Sequence, residues 1–474
     1  MGRKKTNKMF KHKPLVFAFI FFIALTLLSI NIPFFWDGIF FLKTANFFYN
    51  TSYSTLIPPI DFDTGNFPLF GIYLSAFWKF FGKSLLVSHI AILPFLLGIA
   101  FEYYRLAKRY IPKNLIFLSI IFLCIEPTFI TQSIIVAYDI ILVYFYLLSL
   151  NLILQNKTKF LWLALIFLAF SSMRGIVAEV SLFLFFILNS KISIEKLQTK
   201  KIFIAFFTSL VFLCIWTFYH FIKTDWAIFS PQRRETHEEI VGFGMFFRQI
   251  IFSIWKLADF GRIFLLIFIL LMVFICYRKR NISKKTKEVL LIISIPTIVF
   301  ILFFSLFSNP IGHRYFLVPI LLLLIGVSHF LSKIENSKIR VTLFSLLSIL
   351  LITGNFWIYP EKYGNGWDCS LKILPYFEIH RDFVNYVEMK KIDPQKIGTG
   401  FPLFNDYKFS YLQPESYAFA DKNIKHIENF DYILQSNICN DFSEKEIEDL
   451  RNKWKLEKEF RKCQIYFRFY SKIK

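Results

Sequence analysis

The sequence predicts an all-α polytopic membrane protein with about eleven transmembrane helices and a small C-terminal α/β domain outside the cytoplasm. Of its 474 residues, 55% are hydrophobic and 20% are aromatic, and the mean hydropathy is +0.51. A soluble chain of this size could not bury so much apolar surface. Apolar runs long enough to cross a bilayer recur from Pro14 to about Trp357, and the composition becomes polar after Tyr359. We therefore expect a membrane part over residues 1–358 and a C-terminal part over residues 359–474.

The apolar runs give the positions of the helices. The first run follows a basic N-terminus; it is too long for a cleaved signal peptide and lacks a convincing small-residue cleavage site. Ser171, Ser172 and Gly175 around Arg174 predict a break between the fifth and sixth spans. We predict spans over residues 14–34, 84–104, 114–131, 136–154, 159–173, 175–190, 202–222, 261–278, 289–307, 315–332 and 340–358.

The loops predict the orientation. Lys is almost absent from the loops near 127–135 and 308–314, whereas five other connections are basic: Arg105–Lys113, Lys157–Lys159, Lys191–Lys201, Arg278–Lys287 and Lys333–Arg340. Basic loops of membrane proteins face the cytoplasm, so we expect a cytoplasmic N-terminus, an extracytoplasmic C-terminal part and a bacterial plasma membrane. The same loops account for the net charge of +22, and with no basic soluble module we expect no nucleic-acid partner.

Two long connections and the tail lie on the predicted outer side. Residues 35–83 include the short aromatic stretch Phe67–Phe81, which favours a helix in the membrane interface. Residues 223–260 combine a highly charged stretch with two glycines, which is typical of a mobile loop. The tail holds strand-like runs at Tyr432–Gln435 and Gln464–Tyr470.

A helix is expected to start near Ser443, because Ser443 and Glu446 have the spacing of a capping box.

Ionisable residues in or beside the spans concentrate at the predicted outer ends, and we treat such residues as candidates for function. They are Asp37, Asp61, Asp63, Glu126, Asp139, Arg174, Arg233, Arg234, His313 and Arg314. The inner halves of the spans are nearly free of charge, whereas an ion or proton pathway needs ionisable groups through the full depth. The asymmetry predicts one polar cavity that opens toward the outer leaflet.

This mixture of groups suits a phosphorylated lipid substrate. Arginine binds phosphate bidentately, and a carboxylate near an arginine can accept a proton from a hydroxyl group. Lipid-linked phosphosugars present their phosphate at headgroup level, where the cavity would open. Simpler interpretations stay open: Asp37 as an interfacial cap, Asp61 and Asp63 as turn formers, Arg314 as a helix anchor. His313 alone is weak evidence for a metal site.

The order of these features resembles the GT-C superfamily of membrane glycosyltransferases, which includes protein mannosyltransferases and the aminoarabinose transferases of lipid A. An acidic residue follows the first span in Phe35–Gly38, and Asp61–Phe70 looks like the loop motif D-x-G-H-P-P-L. Pro127 followed by Asp139 is similar to a Pro-then-Asp pattern of the superfamily. His313–Pro319 looks like the R-Y-x-x-P segment that opens a late span. In this sequence Asn66 and Phe67 replace the motif's histidine and first proline, and Arg174 stands where many members carry Lys.

The resemblance implies transfer of a sugar, with inversion, from a polyprenyl-phosphate donor to an extracytoplasmic acceptor. Asp37 would be the general base, Asp61 or Asp63 would assist it, and Asp139 would orient the acceptor or support the base. The resemblance implies that the substrate and its phosphate are bound by Arg174, Arg233, Arg234, His313, Arg314 and Tyr315. Some members use a divalent metal; this sequence is compatible with one and does not indicate it. The sugar, the length of the lipid and the acceptor (lipid, glycan or protein of the cell envelope) stay open.

Two other functions stay open as well. A transporter or flippase for lipid-linked glycans predicts charges through the membrane depth or internal repeats, and neither is evident in the sequence. A non-catalytic assembly protein predicts that the outer carboxylates can be removed without loss of function.

Overall fold

The computed structural model describes residues 12–191, 198–228, 230, 239–280, 282–360, 363–414, 416–424, 427–439 and 441–473. The predicted phosphate ligands Arg233 and Arg234 lie outside the described residues, as does most of the charged stretch around them.

Helices dominate the described part of the chain before residue 354. In chain order they are α1 Lys13–Ser29, α2 Asp37–Thr51, α3 Leu69–Phe81, α4 Leu85–Tyr110, α5 Ile116–Ile125, α6 Pro127–Ile134, α7 Asp139–Leu154, α8 Leu161–Ser171, α9 Met173–Ser190, α10 Thr199–Thr224, α11 Phe243–Ala258, α12 Arg262–Arg278, α13 Lys284–Phe304, α14 Leu317–Leu331 and α15 Ser337–Thr353. The helices form the multi-pass bundle that the hydropathy of the sequence predicts.

Each predicted span coincides with an apolar helix, although not every helix is long enough to cross a bilayer alone. Within the described residues, six helical segments are sufficiently long and apolar: α4, α9, α10, α13, and α14 and α15 with their adjoining 3₁₀ turns. The total rises to eight if α5 with α6 (bent by 59°) and α11 with α12 (bent by 94°) each count as one span. Because α1, α7 and α8 are shorter, the number eleven stays a prediction.

Two breaks between helices follow from local chemistry. Pro127 occupies the first position of α6, where its missing N–H is not needed, and the Glu126 carboxylate accepts a hydrogen bond from the Phe129 N–H at 2.6 Å. Between α8 and α9, Ser172 is extended, which confirms the break predicted there. A Cβ at Gly175 would lie 1.9 Å from the Leu168 carbonyl oxygen, so the two helices approach as closely as glycine permits.

The connection expected to be a loop over residues 223–260 instead contains helix α11. Its apolar side chains, among them Phe243 and Ile251, are exposed, whereas Gln249 and Ser253 are buried. The helix therefore turns its polar face toward the protein. The loop was predicted from the charged stretch and the two glycines at the start of this segment, and these do not extend over residues 245–258. The helix expected at Phe67–Phe81 is present as α3, and its position in the membrane interface stays a prediction.

Helix α14 forms the centre of the bundle. All its residues from Leu317 to Leu331 are buried, and it packs against α12, α13, α5, α4 and α7. A helix that is apolar on every side must be surrounded by protein in this way. The short 3₁₀ turn His313–Phe316 precedes α14 and places Arg314 at one end of it.

The C-terminal region, residues 359–473, holds a mixed five-stranded sheet in the order β2-β1-β3-β5-β4. Strand β1 is parallel to β2 and β3, and β5 is antiparallel to β3 and β4. The helices and strands are α16 Leu374–Met389, β1 Ile397–Thr399, α17 Tyr407–Ser410, β2 Ala420–Asp421, β3 Tyr432–Ser436, α18 Glu444–Lys453, β4 Trp454–Lys462 and β5 Ile465–Lys472.

Both predicted strands are present, as β3 and β5, and α18 begins with the expected capping box of Ser443 and Glu446. The hydrophobic core of this region also includes Phe35, Ile134 and Ile135 from the bundle. The region therefore packs on one end of the bundle, and a boundary between two domains at residue 358 stays a prediction.

Candidate active site

Arg314 lies at the centre of a cluster of charged side chains where the C-terminal region meets the bundle. Its Nη2 pairs with Asp37 and its Nη1 pairs with Asp368. Its Nε lies 3.6 Å from Oδ2 of Asp139. Only 6% of the Arg314 side chain is exposed, so these carboxylates provide the compensation that a buried guanidinium requires.

Asp37 is the accessible carboxylate of the cluster. It is the first residue of α2, and 39% of its side chain is exposed, compared with 4% for Asp139 and 7% for Asp368. The preceding Trp36 has φ 56° and ψ −134°, a conformation that favours glycine. Such strain persists only where the surroundings fix the backbone, and here it directs the chain into α2 beside Arg314.

Asp139 and Arg174 form a second ion pair next to the first. Oδ1 of Asp139, at the start of α7, lies 2.6 Å from Nη1 of Arg174, near the start of α9. The Arg174 guanidinium lies over the rings of Tyr138 and Tyr315, with 4.9 Å and 4.4 Å to the ring centroids. Cation–π contacts of this kind fix the plane of the guanidinium and stabilise its charge.

A small cavity adjoins these groups. Phe35, Asp37, Gln132, Tyr138, Asp139 and Arg314 are among the residues that line it. Two buried polar atoms beside it, Oδ2 of Asp139 and Nε of Arg314, have no hydrogen-bond partner within the described part of the chain. These two atoms lie 3.6 Å apart, so a hydroxyl group beside both of them could accept a hydrogen bond from the arginine and donate one to the carboxylate.

Asp368 was not among the residues singled out from the sequence. It lies in the 3₁₀ turn Trp367–Cys369 of the C-terminal region, and it is 5% exposed. Burial raises the pKa of the adjacent Cys369 thiol to about 11, so the thiol stays protonated and can donate to Oδ1 of Asp368 at 3.2 Å. In the sequence, a charged residue stands out by its depth in a membrane span, and that criterion does not apply to a polar tail.

Asp61 and Asp63 lie elsewhere. Asp61 is exposed, whereas Asp63 is 2% exposed and accepts hydrogen bonds from the Gly65 N–H at 2.8 Å and from Nε2 of His220 at 2.9 Å. These contacts close a turn and attach it to α10, which is a structural role. The geometry gives no support to either residue as an assistant of Asp37, and that role stays a prediction.

His313 and Glu126 also point to other partners. Nε2 of His313 lies 2.7 Å from Asp259, at the corner between α11 and α12. Glu126 pairs with Arg262 at 2.7 Å, and both side chains are fully buried. Both contacts hold the corner between α11 and α12 against the bundle rather than adding a group to the cavity.

The five charged groups of the cluster leave a small negative excess. Three carboxylates (Asp37, Asp139 and Asp368) and two guanidinium groups (Arg174 and Arg314) give a formal charge of −1. Within the described ranges, no group of three or more His, Cys, Asp and Glu side chains is arranged to hold a metal ion. The charged groups of the cluster can accept a proton at a carboxylate and bind an anion through arginine.

Comparison with known proteins identifies the fold. No protein-family profile and no curated protein matches the sequence. The structure is similar to that of ArnT from Cupriavidus metallidurans in the apo state, with a TM-score of 0.55 and 11% identity, covering 95% of this chain and 97% of that chain. It is also similar to ArnT from the same organism bound to undecaprenyl phosphate, with a TM-score of 0.53 and 11% identity over 97% and 98% of the two chains. The GT-C-like fold predicted from the sequence is thereby confirmed.

Proposed function

We propose that this protein is a membrane glycosyltransferase that moves a sugar, with inversion, from a polyprenyl-phosphate donor to an extracytoplasmic acceptor. The observation that carries the proposal is the position of Asp37, an accessible carboxylate that Arg314 holds beside the buried pair of Asp139 and Arg174. The ArnT structure that contains undecaprenyl phosphate supports a lipid phosphate as the ligand of this fold. The setting would be a bacterial plasma membrane, with the site on its outer side.

In the proposed reaction, Asp37 accepts the proton of an acceptor hydroxyl group. The hydroxyl oxygen forms a bond to the anomeric carbon from the face opposite the phosphate. The bond between that carbon and the phosphate oxygen breaks, and its electron pair leaves with the lipid phosphate. A single displacement of this kind inverts the anomeric centre.

The arginines would stabilise the negative charge that develops on the leaving phosphate. Arg174 pairs with Asp139 through one Nη, the one carboxylate ion pair found for it within the described residues. A guanidinium has five N–H donors, so the others could donate to phosphate oxygens. Asp139 would orient the acceptor through Oδ2, which has no hydrogen-bond partner within the part of the chain described.

The proposal is tested by transfer of radiolabelled sugar from a panel of polyprenyl-phosphate sugars, in membranes that contain wild type or Asp37→Asn. Loss of the general base should lower transfer by about 10²–10⁴-fold. Asp382→Asn is the matched control, because it makes the same change at an exposed position of α16 outside the cluster, and its transfer should stay within about twofold of wild type.

Equal transfer by wild type and Asp37→Asn, at equal amounts of folded protein, would remove Asp37 from the mechanism. Movement of labelled lipid across the bilayer without any transfer would support a flippase instead.

A further inference from the structure

The turn Trp367–Cys369 brings a residue of the C-terminal region into the charged cluster. We infer that Asp368 is a positioning residue that holds the Arg314 guanidinium against Asp37, so that the site is complete only when the C-terminal region is docked. The inference deepens the proposed function and rests on it for the identity of the ligand, a lipid phosphate.

One side of the turn is fixed to the C-terminal sheet. Trp367 is 1% exposed, and its indole N–H donates to the carbonyl oxygen of Asn437 at 3.1 Å. Asn437 directly follows β3, and its side-chain oxygen accepts from the Tyr466 N–H of β5 at 3.2 Å. The position of the turn therefore follows the position of the sheet.

The other side of the turn is fixed to the bundle. The Gln132 side chain of α6 donates to the carbonyl oxygen of Asp368 at 2.6 Å. Gly366, which precedes the turn, has φ +61°, and a Cβ there would lie 2.4 Å from Nδ1 of His313. A residue other than glycine would push the turn away from Arg314, the next residue after His313.

This double attachment decides how Asp368 acts on Arg314. A guanidinium is a rigid planar fork, so two carboxylates on its two Nη atoms define its plane as well as its place. Asp37 is partly exposed and belongs to a strained segment, whereas Asp368 is buried and its backbone is held from both sides. Asp368 is the fixed partner, and it sets where the guanidinium lies.

A purely electrostatic role of Asp368 and a positioning role predict opposite effects of its removal on anion binding. The cluster has a formal charge of −1, so removing one carboxylate should strengthen the binding of an anion if Asp368 merely contributed negative charge. If Asp368 orients Arg314, its removal should weaken that binding despite the more favourable charge. The sign of the change distinguishes the two roles.

The experiment uses the purified full-length protein in detergent, with undecaprenyl phosphate as the probe. Binding is measured for wild type, Asp368→Asn, Asp368→Glu and Asp382→Asn. Asp382 is an exposed residue of α16, so its variant removes the same charge from the same region without touching the cluster. We expect about tenfold weaker binding for Asp368→Asn, partial recovery for Asp368→Glu and no change for Asp382→Asn.

Hydrogen exchange in residues 313–316 gives a second measurement that does not depend on the lipid. It should accelerate in Asp368→Asn and not in Asp382→Asn, while exchange in the centre of α14 stays unchanged. Tighter or unchanged binding by Asp368→Asn would overturn the inference. If wild type does not bind undecaprenyl phosphate, the proposed ligand is wrong, and unchanged exchange in residues 313–316 would then overturn the positioning role independently.

Discussion

Arg174 and Arg314 carry the same charge but lie in different surroundings. Arg314 pairs with carboxylates through both of its Nη atoms, which makes it the fixed centre of the cluster. Arg174 has one carboxylate partner within the described residues and is otherwise bordered by the rings of Tyr138 and Tyr315. We therefore expect the charge of Arg174 to matter more for the ligand than for the fold.

Substitution of Arg174 tests this expectation. Arg174→Gln should lower sugar transfer by about 10²-fold or more, because a donor to the leaving phosphate is lost. Arg174→Lys keeps the charge and should retain more activity than Arg174→Gln, although it loses the planar contact with the two rings. Initial rates of transfer at several donor concentrations measure both effects.

Arg248→Gln is the control for this pair of variants, since Arg248 is exposed on α11. Equal activity of Arg174→Gln and Arg248→Gln would exclude Arg174 from phosphate binding.

The residues of the cluster were predictable to different degrees. Asp37, Asp139, Arg174 and Arg314 could be selected because a charge at the end of an apolar run stands out. Asp368 could not be selected, because nothing in the sequence of a polar tail distinguishes one acidic residue that packs against a distant arginine.

The role of Asp63 depends on a contact that the sequence does not reveal. Its partner His220 is 157 positions away along the chain. The local motif around Asp63 therefore cannot show whether its carboxylate is structural or catalytic.

At the scale of the helices, the contact between α8 and α9 determines where Arg174 lies. Gly175→Ala would place a Cβ 1.9 Å from the carbonyl oxygen of Leu168, so the two helices would have to separate. Overpacking of this kind should lower the free energy of unfolding by about 1–3 kcal/mol, and it should also reduce sugar transfer because Arg174 is the adjacent residue. Thermal unfolding in detergent and transfer assays measure the two effects.

Gly244→Ala provides the matched comparison, because a Cβ there would meet nothing within 4 Å. Unchanged stability of Gly175→Ala would mean that the backbone between Ser171 and Arg174 is more adaptable than the structure indicates.

Local residue types explain which helix boundaries could be predicted. The break between α8 and α9 was visible in Ser171, Ser172 and Gly175, residues that favour caps and close approach. Helix α11 was not predicted, because the charged stretch before it and the glycines Gly242 and Gly244 favoured a loop. In the structure its polar face packs on the protein and its apolar face lies outward, the reverse of the pattern of a soluble helix.

At the scale of the whole molecule, the hydrophobic core of the C-terminal region is sensitive to acid. His380, in the core of the C-terminal region, is buried, and its ring nitrogens lie 2.7 Å from the hydroxyl of Tyr411 and 2.8 Å from that of Tyr407. Burial lowers the pKa of His380 to about 3, so the folded region holds the neutral ring while the unfolded chain binds a proton below a pKa of about 6.5. The unfolded state therefore gains stability as the pH falls from about 6.5 toward 3.

We expect the C-terminal region to lose up to about 1.4 kcal/mol of stability per pH unit in this window from His380 alone. Hydrogen exchange of α16 at pH 7.5 and pH 5, corrected for the intrinsic exchange rate, measures the loss. His380→Gln can still bond to both tyrosine hydroxyls and should show a smaller pH dependence. An equal pH dependence in the variant would assign the effect to other groups.

The burial of α14 has a consequence for how the protein responds to bilayer thickness. The span that includes α14 is 94% buried, whereas the spans of α10 and α15 are only 28% and 17% buried and face the surrounding lipid. When hydrophobic thickness changes, lipid-facing helices adjust by tilting. Arg314 is attached to the helix with the least lipid contact of these three, so its height would be set by neighbouring protein. Such a central helix would let the charged cluster keep its geometry as the acyl chains of the membrane lengthen or shorten with growth temperature.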